Sequence, residues 1–342
     1  MNILIVCNHF AVCSGRYMAA AFRRQGHNVR HIGPAKGREI WGTVVPPQYV
    51  WEPNAPSEHF EPNLIICMDS DPAILDSFEG KGVPVVVYGV DNHVRNYRRD
   101  YFTHYFLAHY HGQVQPVTQD DESWLPCGYD PVFFTPSRIP FDGRAYDVVM
   151  LGVMYPERAA AMDELAKAGF KVVAGTGIVY EAYANLHHNA RIALCLNAND
   201  DLSQRWFEAA AMGCHVLGSQ PADIRDDKTA GVLGLAGFST IDAFADKAND
   251  VPITFWVDNL LKAARQECKE ATLEMQRRVM RHAWDARART IADWVMLRDL
   301  PEDAKRDAMI HSGDPFLQHA LGFGLPDIEA PGIKLPDDAE VE

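Results

Sequence analysis

The stretch from Arg191 to Ser219, RIALCLNANDDLSQRWFEAAAMGCHVLGS, constrains the fold more than any other part of the chain. An apolar run at Ile192–Leu196 is short enough for a buried strand, and a polar loop, residues 197–201, follows it. The Ala-rich spacing then predicts a helix from Ser203 to Met212, stopped by Gly213 where a C′ glycine belongs. A second apolar run, His215–Leu217, closes the unit at Gly218 and Ser219. Strand, loop, helix and strand in this order make a βαβ unit of a parallel sheet. Asp201, with Gln204 three residues on, reads as an N-cap with its reciprocal partner.

This helix carries chemistry. Arg205 and Glu208 are three residues apart and share one face near its start. First-turn N–H groups and the helix dipole favour a phosphate there, and Arg205 adds a planar fork for the same oxygens. A carboxylate so close suits ribose hydroxyls, from which it accepts two hydrogen bonds at once. Helix N-terminus, Arg and Glu together point to a nucleoside diphosphate. The same spacing also fits an ordinary surface ion pair, so the residues alone leave both readings open.

A chain of 342 residues is long enough for two domains of ordinary size. A net charge of −14 argues against a broad nucleic-acid or anionic-membrane footprint. Arg95, Arg98 and Arg99 form one short basic cluster. The seven cysteines show no CxxC pair, the pattern of a reduced, cytoplasmic protein without structural zinc. No apolar run reaches membrane-spanning length.

Along the chain, near-continuous apolar runs predict strands at Asn2–Cys7, Val29–Ile32, Leu64–Met68 and Pro84–Tyr88, with a further strand or buried segment at Tyr101–Ala108. An amphipathic helix runs through Arg24 between the first two. Asp69-Ser70-Asp71 and Gly89–His93 follow strand ends, where ligands gather in open α/β sheets. Asp91 and His93 are candidates for a catalytic base or for acceptor contacts; a polar loop capping the next helix explains them equally well. A polar stretch from Pro136 to Gly143 reads as a linker. Beyond it come strands at Tyr146–Leu151 and Phe170–Ala174, with helices from Pro156 and Tyr180. His187 and His188 fall on a helix surface with no third metal ligand in view. Val232–Phe238 reads as a strand with a helical start at Thr240, and Pro252–Val295 as largely helical. Prolines, glycines and acids accumulate after Leu300, as in a partly ordered arm or an interaction peptide.

Asn197, with Arg205-Trp-Phe-Glu208-Ala-Ala-Ala-Met-Gly213, resembles the donor-site signature of GT-B glycosyltransferases. The pattern is most similar to the group around the spore maturation protein CgeB, including the YkvP-like proteins, with Ser203 where that group often has Asn. Trp124-Leu-Pro-Cys-Gly-Tyr-Asp130 resembles the step into the family's hinge, and His282-Ala-Trp284-Asp-Ala-Arg287 its closing step. The resemblance implies two Rossmann-like α/β domains facing a cleft, with a C-terminal helix crossing back to the first. The expected divisions are residues 1–135 for the acceptor domain, 136–145 for the linker, 146–297 for the donor domain and 298–342 for the tail. It implies transfer of a sugar from a UDP-, GDP- or TDP-sugar without a bound metal or cofactor. For the site it implies Gly15 in a glycine loop facing the cleft, Arg158 on the donor diphosphate and Gly175 beside the base. Asn197, Ser203, Arg205 and Glu208 belong to the donor signature, and the D-x-H step supports Asp91 and His93. Asp200 stands where an acidic residue precedes the ribose-binding Glu. The acceptor is open among a polysaccharide, a protein, a small molecule and a hydroxymethylated DNA base. The alternatives are a silent nucleotide-sugar-binding or coat-associated protein on the same fold, and a nucleotide-sugar epimerase.

Overall fold

The computed structural model describes residues 1–326 apart from 36, 38, 41–42, 55–58, 69–81, 198, 235–237, 242–251 and 267–276. Asp69 and Asp71 therefore lie outside the described residues.

Two parallel sheets form the frame. The first comprises β1 (Asn2–Cys7), β2 (Asn28–Ile32), β5 (Leu64–Met68), β6 (Val85–Gly89), β7 (His104–Leu107) and β8 (Glu122–Trp124), in the order β2-β1-β5-β6-β7-β8. A two-stranded hairpin, β3 (Glu39–Ile40) and β4 (Thr43–Val44), stands outside it. The second sheet comprises β9 (Tyr146–Leu151), β10 (Val172–Gly175), β11 (Ala190–Cys195), β12 (His215–Ser219) and β13 (Phe238–Ile241), in the order β10-β9-β11-β12-β13. In each sheet the chain steps to one side of its first strand and then returns to the other. That reversal leaves a crevice at the carboxyl ends of β1 and β5, and another at those of β9 and β11.

Local sequence explains the strands. The five residues of β5 and of β6 are all buried, as strands covered on both faces must be. In β9 the period of two divides the faces. Val148 and Met150 join a cluster with Leu217, Val257 and Leu261, while Val149 and Leu151 join the larger core that continues into the first sheet. Helix α4 (Gln204–Ala211) packs on β12 because Gly218 has no side chain: a Cβ there would lie 2.2 Å from the Trp206 ring. Gly213 ends that region with φ +80°, as a C′ glycine does. The N-cap is Ser203 rather than Asp201, two residues later than the capping pattern predicted.

Helix α8 (Trp284–Leu297) packs on α1 (Ser14–Arg24), so the chain crosses back to the first sheet. Arg24 holds Asp285 through two hydrogen bonds of 2.8 and 2.7 Å and reaches Asp130 as well. The segment after Leu300 is folded as far as it is described. Following α9 (Glu302–Ser312), α10 (Pro315–Ala320) buries Phe316 and Leu317 and returns Ala320 C=O to the Trp294 indole. Two other expectations fail. Val232 and Leu233 end helix α6 (Asp227–Leu233), and Thr240 belongs to β13. His187 is buried on α3 (Tyr180–His188), its Nδ1 donating to Tyr183 C=O one turn back, while His188 stays at the surface.

Burial holds the imidazoles of His31 and His104 down to about 3, and those of His187, His215 and His319 to about 4. The unfolded chain binds these protons first, near 6.5. Their contribution to stability is therefore complete above that value and lost as pH falls toward about 4. The urea midpoint should be clearly lower at about pH 5 than at about pH 7.5. A flat midpoint across that range would show that these rings titrate freely in the folded protein.

Candidate active site between the two sheets

A cavity of about 520 Å³ opens between the carboxyl ends of the two sheets. Its second-sheet wall is built on α4. The Trp206 indole donates to Asn197 Oδ1 at 3.2 Å, and Asn197 is held in turn by the backbone and hydroxyl of Ser219. Those bonds fix where α4 begins. Ser203 at the N-cap makes no side-chain capping bond, so the first turn presents N–H groups beside the cavity that Ser203, Gln204 and Arg205 line.

Two arginines line this wall, and they are prepared differently. Arg158 is buried at the start of α2 (Pro156–Lys167), with Nε and Nη2 on Leu196 C=O and Nη1 on Val153 C=O. Its guanidinium ties the ends of β9 and β11 together. Arg205 spends one Nη1 bond of 3.1 Å on Leu151 C=O, and most of its fork has no protein partner among the described residues. Gly152, with φ +135°, lets that fork lie close: a Cβ would stand 3.0 Å from Nη1. Glu208 lies one turn on, buried, with Oε1 accepting from Gln204 Nε2 at 2.5 Å. Burial pushes its carboxyl up, against the pull of Gln204 and of the neighbouring Arg205 charge.

The facing wall comes from the loop after β6. Asn92 is fully buried, and its side-chain amide bonds His109 C=O, Gln115 C=O and His109 N–H at 2.7, 2.7 and 2.9 Å. This rivet places Asp91 and His93, on either side of it, at the cavity. Burial, then the neighbouring His109, lowers the basicity of His93. At the floor, Tyr180 adopts φ +50°, rare for a residue with a side chain, and its hydroxyl donates to Ala11 C=O across the cleft. Tyr49 stacks on it at 4.5 Å.

The cavity thus brings together Asp91, His93, Arg158, Ser203, Arg205 and Glu208. Four other candidates do not line it. Gly15 sits inside α1, where a Cβ would meet Cys7 Sγ at 2.6 Å, so it permits helix-on-strand packing rather than forming a glycine loop. Asn197 uses its polar atoms on Ser219 and Trp206. Asp200, at φ +58°, pairs with Arg225, and Asp201 lines the cavity instead. Gly175 packs against Ile178, while Gly177, Ile178 and Val179 reach the cavity. Sequence reasoning missed Tyr180 and Tyr183. Their signal was weak, because aromatic residues at the start of a helix are ordinarily core.

Residues 141–293, which hold this α4 wall, match the family described as Glycosyl transferase-like. Among solved structures, the chain is similar to a sucrose-phosphate synthase from Thermosynechococcus elongatus, with 11% identity, TM-score 0.53, and coverage of 86% of this chain and 98% of that one. It is similar to the catalytic domain of starch synthase IV from Arabidopsis thaliana, bound to ADP and acarbose, with 10% identity, TM-score 0.54, and coverage of 86% and 98%. AviGT4, a glycosyltransferase involved in avilamycin A biosynthesis, gives 12% identity, TM-score 0.54, and coverage of 86% and 97%. The fold is GT-B. No curated protein matches the chain. Within this GT-B frame, the glycosyltransferase-like half supplies the α4 wall, and the first sheet supplies Asp91 and His93.

Gly152 and Arg205 should be energetically coupled. Gly152→Ala strains a positive φ and crowds the guanidinium, costing about 1–3 kcal/mol of stability. Arg205→Ala in the same chain removes the crowding, so the double variant should exceed additivity by roughly 0.5 kcal/mol or more. Strictly additive denaturation midpoints would show that the two side chains do not press on each other.

Proposed function

We infer that the protein is a glycosyltransferase that takes its sugar from a nucleoside-diphosphate sugar and uses no resident metal. The observation that supports this most is the pairing of the Arg205 fork, most of whose donors are unspent among the described residues, with the uncapped first turn of α4, with buried Glu208 one turn behind. A diphosphate fits the first two and ribose hydroxyls fit the third. The base then lies toward Ile178 and Val179. The acceptor hydroxyl lies on the Asp91 and His93 wall. Its oxygen attacks the anomeric carbon as the bond from that carbon to the diphosphate oxygen breaks. The diphosphate leaves with the electron pair, and the hydroxyl proton passes to His93. Arg158 acts at one remove, by holding the strand ends under the diphosphate.

An uncharged carbohydrate or small hydroxylic acceptor suits this wall better than duplex DNA. The protein is strongly acidic, and Arg98 of the short basic cluster is engaged by Asp121 and Glu122. The motif from Asn197 to Gly213 supports placing the chain near the CgeB-like group. A cytoplasmic site of action is supported by the sparse cysteines of the sequence, which show no CxxC pair. No helix among the described residues is long and apolar enough to cross a membrane.

Calorimetry with UDP, GDP, ADP and TDP tests the reading: at least one should bind the wild type. Glu208→Gln should then weaken that nucleotide at least about tenfold, the loss of one or two charge-assisted bonds. Because burial opposes the Glu208 charge, the variant should melt at or above the wild-type temperature. A folded Glu208→Gln protein with unchanged affinity would remove Glu208 from the ribose. Absence of binding by all four nucleotides would overturn the donor site.

With Arg205 and the α4 first turn neutralising the leaving diphosphate, transfer should persist in EDTA. Loss of turnover in chelator, restored by manganese or magnesium, would assign that job to a metal.

A further inference from the structure

Three buried polar atoms without hydrogen-bond partners among the described residues lie in one cluster behind the Asp91 and His93 wall: His93 Nδ1, His109 Nδ1 and Asp223 Oδ2. They come from three separate segments. His93 follows β6, His109 follows β7, and Asp223 belongs to α5 (Ala222–Arg225) of the second sheet's half. The two imidazoles meet edge to face, with centroids 4.6 Å apart and planes at 83°. His109 Nδ1 stands 3.7 Å from Asp223 Oδ2, too far for a hydrogen bond but with no competing partner for either atom. Asp223 is buried to 2% exposure, and its other oxygen already accepts from His111 N–H at 2.9 Å. A carboxylate in such a place costs free energy until its second oxygen also accepts a hydrogen bond.

We propose that Asp223 is a positioning residue that reaches across the cleft, fixes the ring of His109, and through it holds His93 with Nε2 presented to the cavity. This rests on the reading of His93 as the base in the transfer reaction. Among the cluster, Asp223 Oδ2 is the acceptor that faces His109 Nδ1, so the His109 proton resides on that nitrogen. The oriented His109 ring packs against His93. His93 Nδ1 is sealed from solvent, so the nitrogen able to exchange a proton at the cavity is Nε2. Asp91 and Asp201 also act on the His93 charge, but Asp223 alone of these carboxylates is paired with His109. Because Asp223 and His109 belong to opposite halves, shortening their separation by under about 1 Å makes a charge-assisted bond and draws the halves together. The base is thereby set when the cleft closes on its substrates.

The test separates this role from the donor site. In ¹⁵N-histidine spectra of the wild-type protein, His109 should carry the proton on Nδ1, and Asp223→Asn should shift the His109 ring signals. A His109 protonated on Nε2, or an Asp223→Asn protein with both rings unchanged, would overturn the proposal. In donor hydrolysis with UDP-, GDP- and TDP-glucose, Asp223→Asn should lower turnover about tenfold or more while the Kd for the free nucleotide stays within about twofold. Asp223→Glu should recover part of the loss. Wild-type turnover in folded Asp223→Asn would also overturn it. Should Asp223→Asn fail to fold, His109→Gln takes its place, with the His93 ring signals and the same split as readouts. A wild-type protein that turns over none of the donors defeats the transferase reading alone, because the ring spectra still decide the relay.

Discussion

A buried guanidinium with no ion-pair partner among the described residues holds the two halves in register. Arg287 of α8 is fully buried, and burial lowers its pKa to about 10. Its Nε donates to Pro126 C=O at 2.7 Å, its Nη2 donates to His282 Nδ1 at 2.5 Å, and its face rests 4.5 Å from the Phe316 ring centre. Accepting from Arg287 on Nδ1 fixes the His282 tautomer, so Nε2 carries the proton and donates to Leu233 C=O at 2.8 Å. One relay therefore joins the end of the first sheet, the returning helix and the second sheet's half. Tyr129 and Ala283 form a β-bridge beside it, and Gly128 allows the approach, since a Cβ would meet His282 C=O at 2.6 Å. The cavity depends on this joint, because neither half alone carries both of its walls.

The parts of the fold that follow from burial alone were legible. The ranges Asn2–Cys7 and Leu64–Met68 coincide with β1 and β5, because strands covered on both faces leave near-continuous apolar runs. The parts set by tertiary pairing were not. β8 spans only Glu122–Trp124, and its buried Glu122 is stabilised by Arg98, by Gln115 and by two backbone N–H groups, none of which its own sequence announces. Val232 and Leu233 are as apolar as a strand, yet Asp226 caps the helix containing them through Lys228 and Thr229 N–H. The sequence gives no sign that α10 is more than tail, because its burial depends on Trp124 and Trp294, far back in the chain.

For the site, legibility followed the range of the interaction. Arg205 and Glu208 share one helix face, so spacing placed them together. Asn197 and Asp200 lie in the same local motif, but a motif does not reveal whether a polar side chain faces the ligand or braces its neighbours. Asn197 braces Trp206, and Asp200, in a left-handed turn, faces Arg225. Asp223 and His109 are separated by more than a hundred residues, and no local pattern marks either one.

The two walls reach their chemistry by opposite means. On the α4 wall the protein leaves donors unspent: an uncapped first turn and most of an arginine fork, beside a carboxylate that burial holds at a disadvantage. Such groups are costly in isolation and gain when a polyanion with hydroxyls arrives. On the facing wall Asn92 engages the backbone of His109 and Gln115, and the His93 ring and the Asp91 carboxylate face the cavity. Arg158 shows the difference between the two kinds of residue on a single wall. It carries the same guanidinium as Arg205 and is closer to full burial, but its bonds to Leu196 and Val153 make it part of the scaffold. Charge and position alone would rank the two arginines equally; the count of unspent N–H donors ranks Arg205 first.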